Sequence, residues 1–257
     1  MADARGLPSQ TQPDRFTCLA AKARAGQWSA ARDIDWRRPP RLPLWITRDQ
    51  ARATISQLYH GEVATSRLCQ TLLREFEPGP ARQCLEFQTR DELRHAEAFK
   101  RYLESLGGVA EMDDNLAWAL DSAGSGPAGP LGAMVAFHVV VEGEVLRVQD
   151  SLTRLLPCPL LRQINRRVAR DEARHVAFGR IYLTEALANL STEARSRLYG
   201  WVYDLWRQTT KLALAESVGS GTARRILRSW LSGGWRHHEA ALHQIGLAPG
   251  PDWGRAA

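Results

Sequence analysis

Arg90-Asp91-Glu92-Leu93-Arg94-His95 returns 80 positions later as Arg170-Asp171-Glu172-Ala173-Arg174-His175, and this near-verbatim recurrence decides the fold. Self-similarity at a fixed offset marks a duplicated structural unit. The same offset, with no gap, lays Glu62 on Glu142, Arg67 on Arg147, Leu72 on Leu152 and Arg74 on Arg154. It also pairs Arg82-Gln83 with Arg162-Gln163 and Tyr102-Leu103 with Tyr182-Leu183. The breakers correspond as well, with Pro78-Gly79-Pro80 falling opposite Cys158-Pro159-Leu160.

The repeated unit reads as a helix hairpin. Ile55, Tyr59, Glu62, Ser66, Cys69, Leu73 and Phe76 recur at three- and four-residue spacing, the period of one helical face. Thr47 or Asp49 can cap that helix, and Glu77-Pro78-Gly79-Pro80 stops it. A second helix is expected from about Ala81 to Leu106, closed by Gly107-Gly108. Beyond a Gly/Ser/Pro linker at 122–130, a third helix is expected over about Leu131 to Leu156. A fourth follows from Leu160 to about Leu190, a fifth reaches roughly Ser217, and after Gly219-Ser220-Gly221 comes a shorter basic helix. Nothing reads as strand, so an all-α chain is expected.

Residues equally far from the turn of an antiparallel helix pair lie side by side. The midpoint of 62 and 95 falls between Pro78 and Gly79, and that of 142 and 175 between Cys158 and Pro159. Each single Glu is therefore level with the Glu-x-x-His of the following helix. An i, i+3 spacing separates two side chains by about 60° around the helix, so Glu92 with His95, and Glu172 with His175, can grip one region together. Carboxylates on core faces are costly unless paired or metal-bound. Four Glu and two neutral His sum to −4, which two divalent ions would neutralise. Such donors, lacking thiolate, suit iron or manganese better than a structural zinc. Glu144 competes with Glu142 for the single-Glu role of the second hairpin, but the repeat register selects Glu142.

Glu…Glu-x-x-His, twice over four helices, resembles the ferritin-like di-iron carboxylate superfamily, and the RDExRH wording is close to its ribonucleotide reductase-like, oxygen-activating branch. The resemblance implies a ferritin-like four-helix bundle built from two repeated hairpins, with additional C-terminal helices. It further implies two iron ions, manganese being the alternative, held by Glu62, Glu92, His95, Glu142, Glu172 and His175. Asp91 and Asp171 resemble the carboxylates that orient ligand histidines in these proteins. The activity implied is oxygenation or oxidation of a small organic substrate, free or carrier-bound: hydroxylation, N-oxygenation or desaturation with O2. Some N-oxygenating relatives carry an extra histidine one turn before the Glu of the fourth helix, where this chain has Val168. His138, one turn before Glu142, is assigned to the surroundings of the site or to the core.

The 257 residues divide, on composition, into a Pro- and Trp-containing extension (1–46), a di-iron bundle (47–190) and C-terminal helices (191–257). Trp28, Trp36 and Trp45 suggest that part of the extension packs on the body. Cys18, Cys69, Cys84 and Cys158 form no CxxC and no disulfide-like spacing. Met1 to Gln10 lacks an apolar export segment, so a reduced cytoplasmic protein without membrane spans is expected. No flavin, rubredoxin or dinucleotide motif is present, which implies an external electron donor such as a ferredoxin or reductase. The net charge of +6 is spread along the chain with no recognition motif, so nucleic acid is not the expected partner. Two other readings are an iron-handling ferroxidase or storage protein and a tRNA-modifying di-iron hydroxylase. The helices after Leu190 favour a monomer or homodimer over a cage subunit.

Overall fold

A computed structural model describes residues 13–216 and 221–250. The expectations about Met1 to Gln10, about Ser217 and about the Gly219-Ser220 break lie outside the described residues. Every regular element among the described residues is helical: α1 (Pro13–Ala25), α2 (Arg48–Leu72), α3 (Pro80–Glu104), α4 (Asp114–Gly124) and α5 (Gly129–Val135). A π-helix (Ala136–Val141) leads into α6 (Glu142–Leu155), then α7 (Pro159–Ala188), α8 (Thr192–Glu216) and α9 (Gly221–Gln244). The repeat therefore maps onto two hairpins, α2–α3 and α6–α7.

Local chemistry sets these boundaries. Thr47 caps α2 through a capping box in which its hydroxyl accepts from the Gln50 N–H while the Gln50 side chain accepts from the Thr47 N–H. Arg82 closes the first hairpin by donating to the carbonyls of Leu73 and Phe76. At the end of α3, Gly107 and Gly108 adopt φ of +102° and +98°, and the Gly108 N–H reaches back 2.8 Å to the Leu103 carbonyl. That left-handed stop is the one the glycine pair foretold.

Two compact units can be distinguished. One takes the described residues of Ser9–Asp113 together with Glu144–Phe178. Its core joins Ile55 and Leu58 of α2, Phe99, Tyr102 and Leu103 of α3, Leu152 of α6, and Leu160, Leu161, Ile164 and Val168 of α7. Ala30 and Ile34 of the arm between α1 and α2 add to it, with Trp28 and Trp36 packed against them. Trp45, expected to pack with the other two tryptophans, is 63% exposed instead. It follows Pro43 and Leu44 in a short turn closed by the Ile46 N–H on the Pro43 carbonyl at 3.2 Å, with Leu42 and Ile46 on either side packed against the core.

The other unit takes Asp114–Gly143 and the described residues from Gly179 onward. There α4 packs on α8, and α8 on α9. Tyr199 and Tyr203 both meet Trp235 edge-on, and the Tyr199 hydroxyl donates to Glu239 at 2.7 Å. Two elements depart from the sequence expectation. Helix α4 occupies residues that carried no helix assignment. The third helix, expected to be continuous, is interrupted by the six-residue π-helix immediately before Glu142.

Candidate metal centre

The structure brings five of the six expected ligands together in the first unit, and all five are buried. Donor atoms of Glu62, Glu92, His95 and Glu172 lie within 4.8 Å of one another, as do those of Glu92, Glu172 and His175. Glu92 and Glu172 belong to both groups. Helix α2 contributes Glu62, α3 contributes Glu92 and His95, and α7 contributes Glu172 and His175. The hairpin register shows directly: His95 Nδ1 lies 3.2 Å from Glu62 Oε2 across the α2–α3 pair. Glu142 is also buried, at the first position of α6, and belongs to the other unit. Its competitor Glu144 is engaged by Arg147, one turn along α6.

The two histidines present the same nitrogen to the carboxylates. His95 Nδ1 faces Glu62 and Glu172 at 3.2 Å each, and His175 Nδ1 faces Glu92 and Glu172 at 3.0 Å each. Each Nε2 turns outward to an aspartate, and the pairing is crosswise. His95 Nε2 lies 3.1 Å from Asp171 on α7, while His175 Nε2 lies 3.2 Å from Asp91 on α3. An N–H held by a carboxylate at Nε2 fixes the tautomer and leaves Nδ1 as the donor atom.

Arg94 and Arg174 complete this arrangement. Each guanidinium is ion-paired with both aspartates, so two positive and two negative charges alternate behind the histidines. The arm adds two further donors: Gln27 Nε2 to Asp91 at 3.0 Å and Trp28 Nε1 to Asp171 at 2.8 Å. The Trp28 ring stacks 6.2 Å from His95 and lies beneath the Arg94 guanidinium at 4.9 Å. The arginines could have been found in the sequence, because they are the repeated Arg of RDExRH. Gln27 has no comparable signal.

Burial and charge pull the titrating groups apart. Burial pushes Glu62 well above the usual carboxylate value, against the pull of His95. Burial acts the same way on Glu92, but His175 and His95 outweigh it and hold that carboxyl far below. For His95 burial favours the neutral ring, yet Glu62, Asp171 and Glu172 hold its pKa well above the ordinary histidine value. His175 is held up likewise by Glu92, Glu172 and Asp91. Asp171 stays far below its usual value because His95, Trp28 and Arg174 overcome its burial.

The donor set fits a pair of metal ions. Buried carboxylates need counter-charge, and Glu62 Oε1 has no hydrogen-bond partner among the described residues although it is shielded from solvent. Carboxylate and imidazole donors arranged in two groups with shared carboxylates suit two ions of the iron or manganese kind.

Solved structures similar to this chain include R2-like ligand-binding oxidases. A variant with aerobically reconstituted Mn/Fe cofactor is 19% identical over 93% of this chain and 95% of that one, with a TM-score of 0.63. The fold is ferritin-like. A second variant, with anaerobically reconstituted Mn/Fe cofactor, matches at 20% identity and a TM-score of 0.62, covering 93% and 95% of the two chains. An aerobically reconstituted form after a long soak matches at 19% identity, with a TM-score of 0.58 over 90% and 92%. No protein-family profile and no curated protein matches the chain. Among the described residues, no helix is long and apolar enough to cross a membrane.

Proposed function

We propose that this ferritin-like chain is a dimetal oxidase, using an iron pair or a mixed manganese–iron pair to activate O2 against a small organic substrate. The observation that carries the reading is the overlap of two buried donor groups on Glu92 and Glu172, the arrangement needed to bridge two ions. The ligand-binding oxidases of like fold, which hold a Mn/Fe cofactor, support it. Glu62 and His95 would serve one ion, His175 the other, and Glu92 and Glu172 both. The sequence repeat nominates Glu142 as the counterpart of Glu62, and the engagement of Glu144 by Arg147 supports that choice.

Bound there, the metal pair would supply the one-electron steps and Lewis acidity that O2 reduction needs. The chain's own residues prepare the place. Asp171 and Asp91 hold the Nε2 protons of His95 and His175, so each Nδ1 offers its lone pair inward. Arg94 and Arg174 balance those two aspartates and leave the four glutamates free to neutralise the ions. Phe16, Phe76 and Phe178 are buried, and the rings of the first two both meet Phe178, which helps to exclude water from the core of the same unit. The two electrons that an oxygenase turnover requires would come from a separate donor protein, since the chain carries no flavin or rubredoxin motif.

Metal analysis of protein produced with iron, manganese or both provides the test, with Mössbauer and electron paramagnetic resonance spectra of the loaded protein. About two metals per chain and a magnetically coupled pair are expected. Glu92→Ala and His175→Ala should each weaken metal binding, so that the purified protein loses metal and O2 consumption, whereas Glu144→Ala should keep both. Fewer than about one metal per chain, or a very large cage on gel filtration, would refute an oxidase in favour of a metal-free scaffold or a storage protein.

A further inference from the structure

A hollow of about 460 Å³ lies between the arm and the first half of α7, lined by Arg38, Arg162, Gln163, Arg166, Arg167 and Arg170. Its walls are fixed in place. The Asp35 N–H donates to Gln163 Oε1 at 3.0 Å, and Arg167 donates to the Asp33 carbonyl at 2.8 Å while lying over the Trp28 ring. Five guanidinium groups thus border one concavity, and among the described residues no acidic side chain lines it.

Four of the five have no carboxylate partner among the described residues: Arg167, which meets the Asp33 carbonyl and the Trp28 ring, and the three of one stripe. Arg162, Arg166 and Arg170 follow one another at four-residue intervals, a like-charge stripe that a helix disfavours. None has a carboxylate within 4.0 Å among the described residues. Arg174 continues the same stripe and shows the contrast, since it is paired with both Asp91 and Asp171. Arg38 shares the single Asp35 carboxylate with Arg37. The positive surplus is therefore concentrated in a space of small-molecule size.

We propose that this hollow binds an oligophosphate group, free or carried on an organic coenzyme or substrate. Charge density selects phosphate over carboxylate. A phosphoryl group brings a charge of about −1.5 to −2 with three acceptor oxygens, against −1 for a carboxylate, so two linked phosphoryl groups can match the surplus within the volume. The guanidinium fork suits such oxygens in pairs. Arg166 and Arg170 are exposed and reach the ligand from the open side, while the half-buried Arg162 and Arg167 form the floor.

Isothermal titration of the full-length protein at physiological ionic strength tests this, with inorganic pyrophosphate and ADP as probes and metal content assayed before and after. Saturable 1:1 binding is expected, and Arg166→Gln and Arg170→Gln should each weaken it about tenfold or more, as loss of a charge-assisted hydrogen bond does. Arg154→Gln, at an exposed pair with Asp150, should leave affinity unchanged. Arg166→Lys, which keeps the charge and with it the surface, should weaken binding partially. Tighter binding of ADP than of pyrophosphate would assign the site to a carried phosphate, and the reverse to a free one. Absence of saturable binding, or equal weakening by Arg154→Gln, would overturn the proposal. So would binding of an acidic polypeptide through Arg166 and Arg170 when pyrophosphate does not bind. None of these readouts depends on the metal chemistry proposed above.

Discussion

Replacing Asp171 by Asn tests the crosswise pairing of aspartates and histidines. Three donors converge on Asp171 Oδ2: His95 Nε2 at 3.1 Å, Trp28 Nε1 at 2.8 Å and an Arg94 nitrogen at 3.0 Å; Arg174 reaches Oδ1 at 2.7 Å. Asn has one acceptor oxygen. If that oxygen stays with His95, the amide N–H2 confronts Arg174, which retains Asp91 at 2.9 Å. The fold should survive, but the imidazole loses its anionic partner and metal affinity should fall about 10- to 100-fold, or roughly 1.4–2.7 kcal/mol. Competition titrations of Mn(II) and anaerobic Fe(II) against a chelator would measure this in a double-mutant cycle. Asp171→Asn should be strongly non-additive with His95→Ala, because without the imidazole the aspartate has nothing to orient. Coupling to His175→Ala should be distinctly smaller. Larger coupling of Asp171 to His175 than to His95 would refute the crosswise arrangement.

Other substitutions probe the packing. A Cβ on Gly179 would stand 2.4 Å from His138 Cβ and 2.8 Å from its Cγ, so Gly179→Ala should lower stability in urea by about 1–3 kcal/mol. Gly61 sits within α2 with nothing inside 4 Å of a new Cβ, and Gly61→Ala should raise stability by up to about 1 kcal/mol. Trp28→Phe keeps an aromatic ring, though a smaller one, and removes a hydrogen bond to a charged group. It should cost about 1.5–3 kcal/mol in the same assay while the metal stoichiometry is unchanged. Burial pushes the Cys84 thiol up to about 12. At pH 8 only about one molecule in ten thousand would carry that thiolate, so iodoacetamide should label exposed Cys18 and spare Cys69, Cys84 and Cys158. Labelling of Cys84 in the native protein, read by peptide mass, would contradict its burial.

The hairpins were legible because their signals are local and doubled. The Thr47 cap, Pro78 to Pro80 and Gly107-Gly108 each act within a few residues. The repeat also makes Glu92 the counterpart of Glu172 and sets each single Glu level with the following Glu-x-x-His. That Asp91 and Asp171 meet histidines was readable in kind, since RDExRH carries them next to the candidate ligand glutamates. Their partners were not readable: an aspartate four residues before a histidine looks as if it serves that histidine, and only the packing of α3 against α7 sends it to the other. Gln27 and Trp28 act across 64 and 143 positions with no periodic pattern to announce them. The π-helix before Glu142 was invisible because Val139-Val140-Val141 fits an α-helix equally well. The difference lies in a shift from four- to five-residue hydrogen bonding, and side-chain type does not encode it. Helix α4 is short and runs into a glycine-rich linker, so composition there read as connection.

The exchanged aspartates bear on how such a chain could arise. A single copy of the repeat supplies a histidine on one helix but not the carboxylate that steadies it. It would find that carboxylate only in a second copy of itself, each lending its aspartate to the other. Two separate hairpins meeting face to face would satisfy both at once, and joining their genes end to end would preserve every bond. The pairing of His95 with Asp171 and of His175 with Asp91 is the geometry that an ancestral symmetric dimer would leave behind after fusion. On that view the two hairpins are bound to remain together, because a mutation that frees one strands the histidine of its twin.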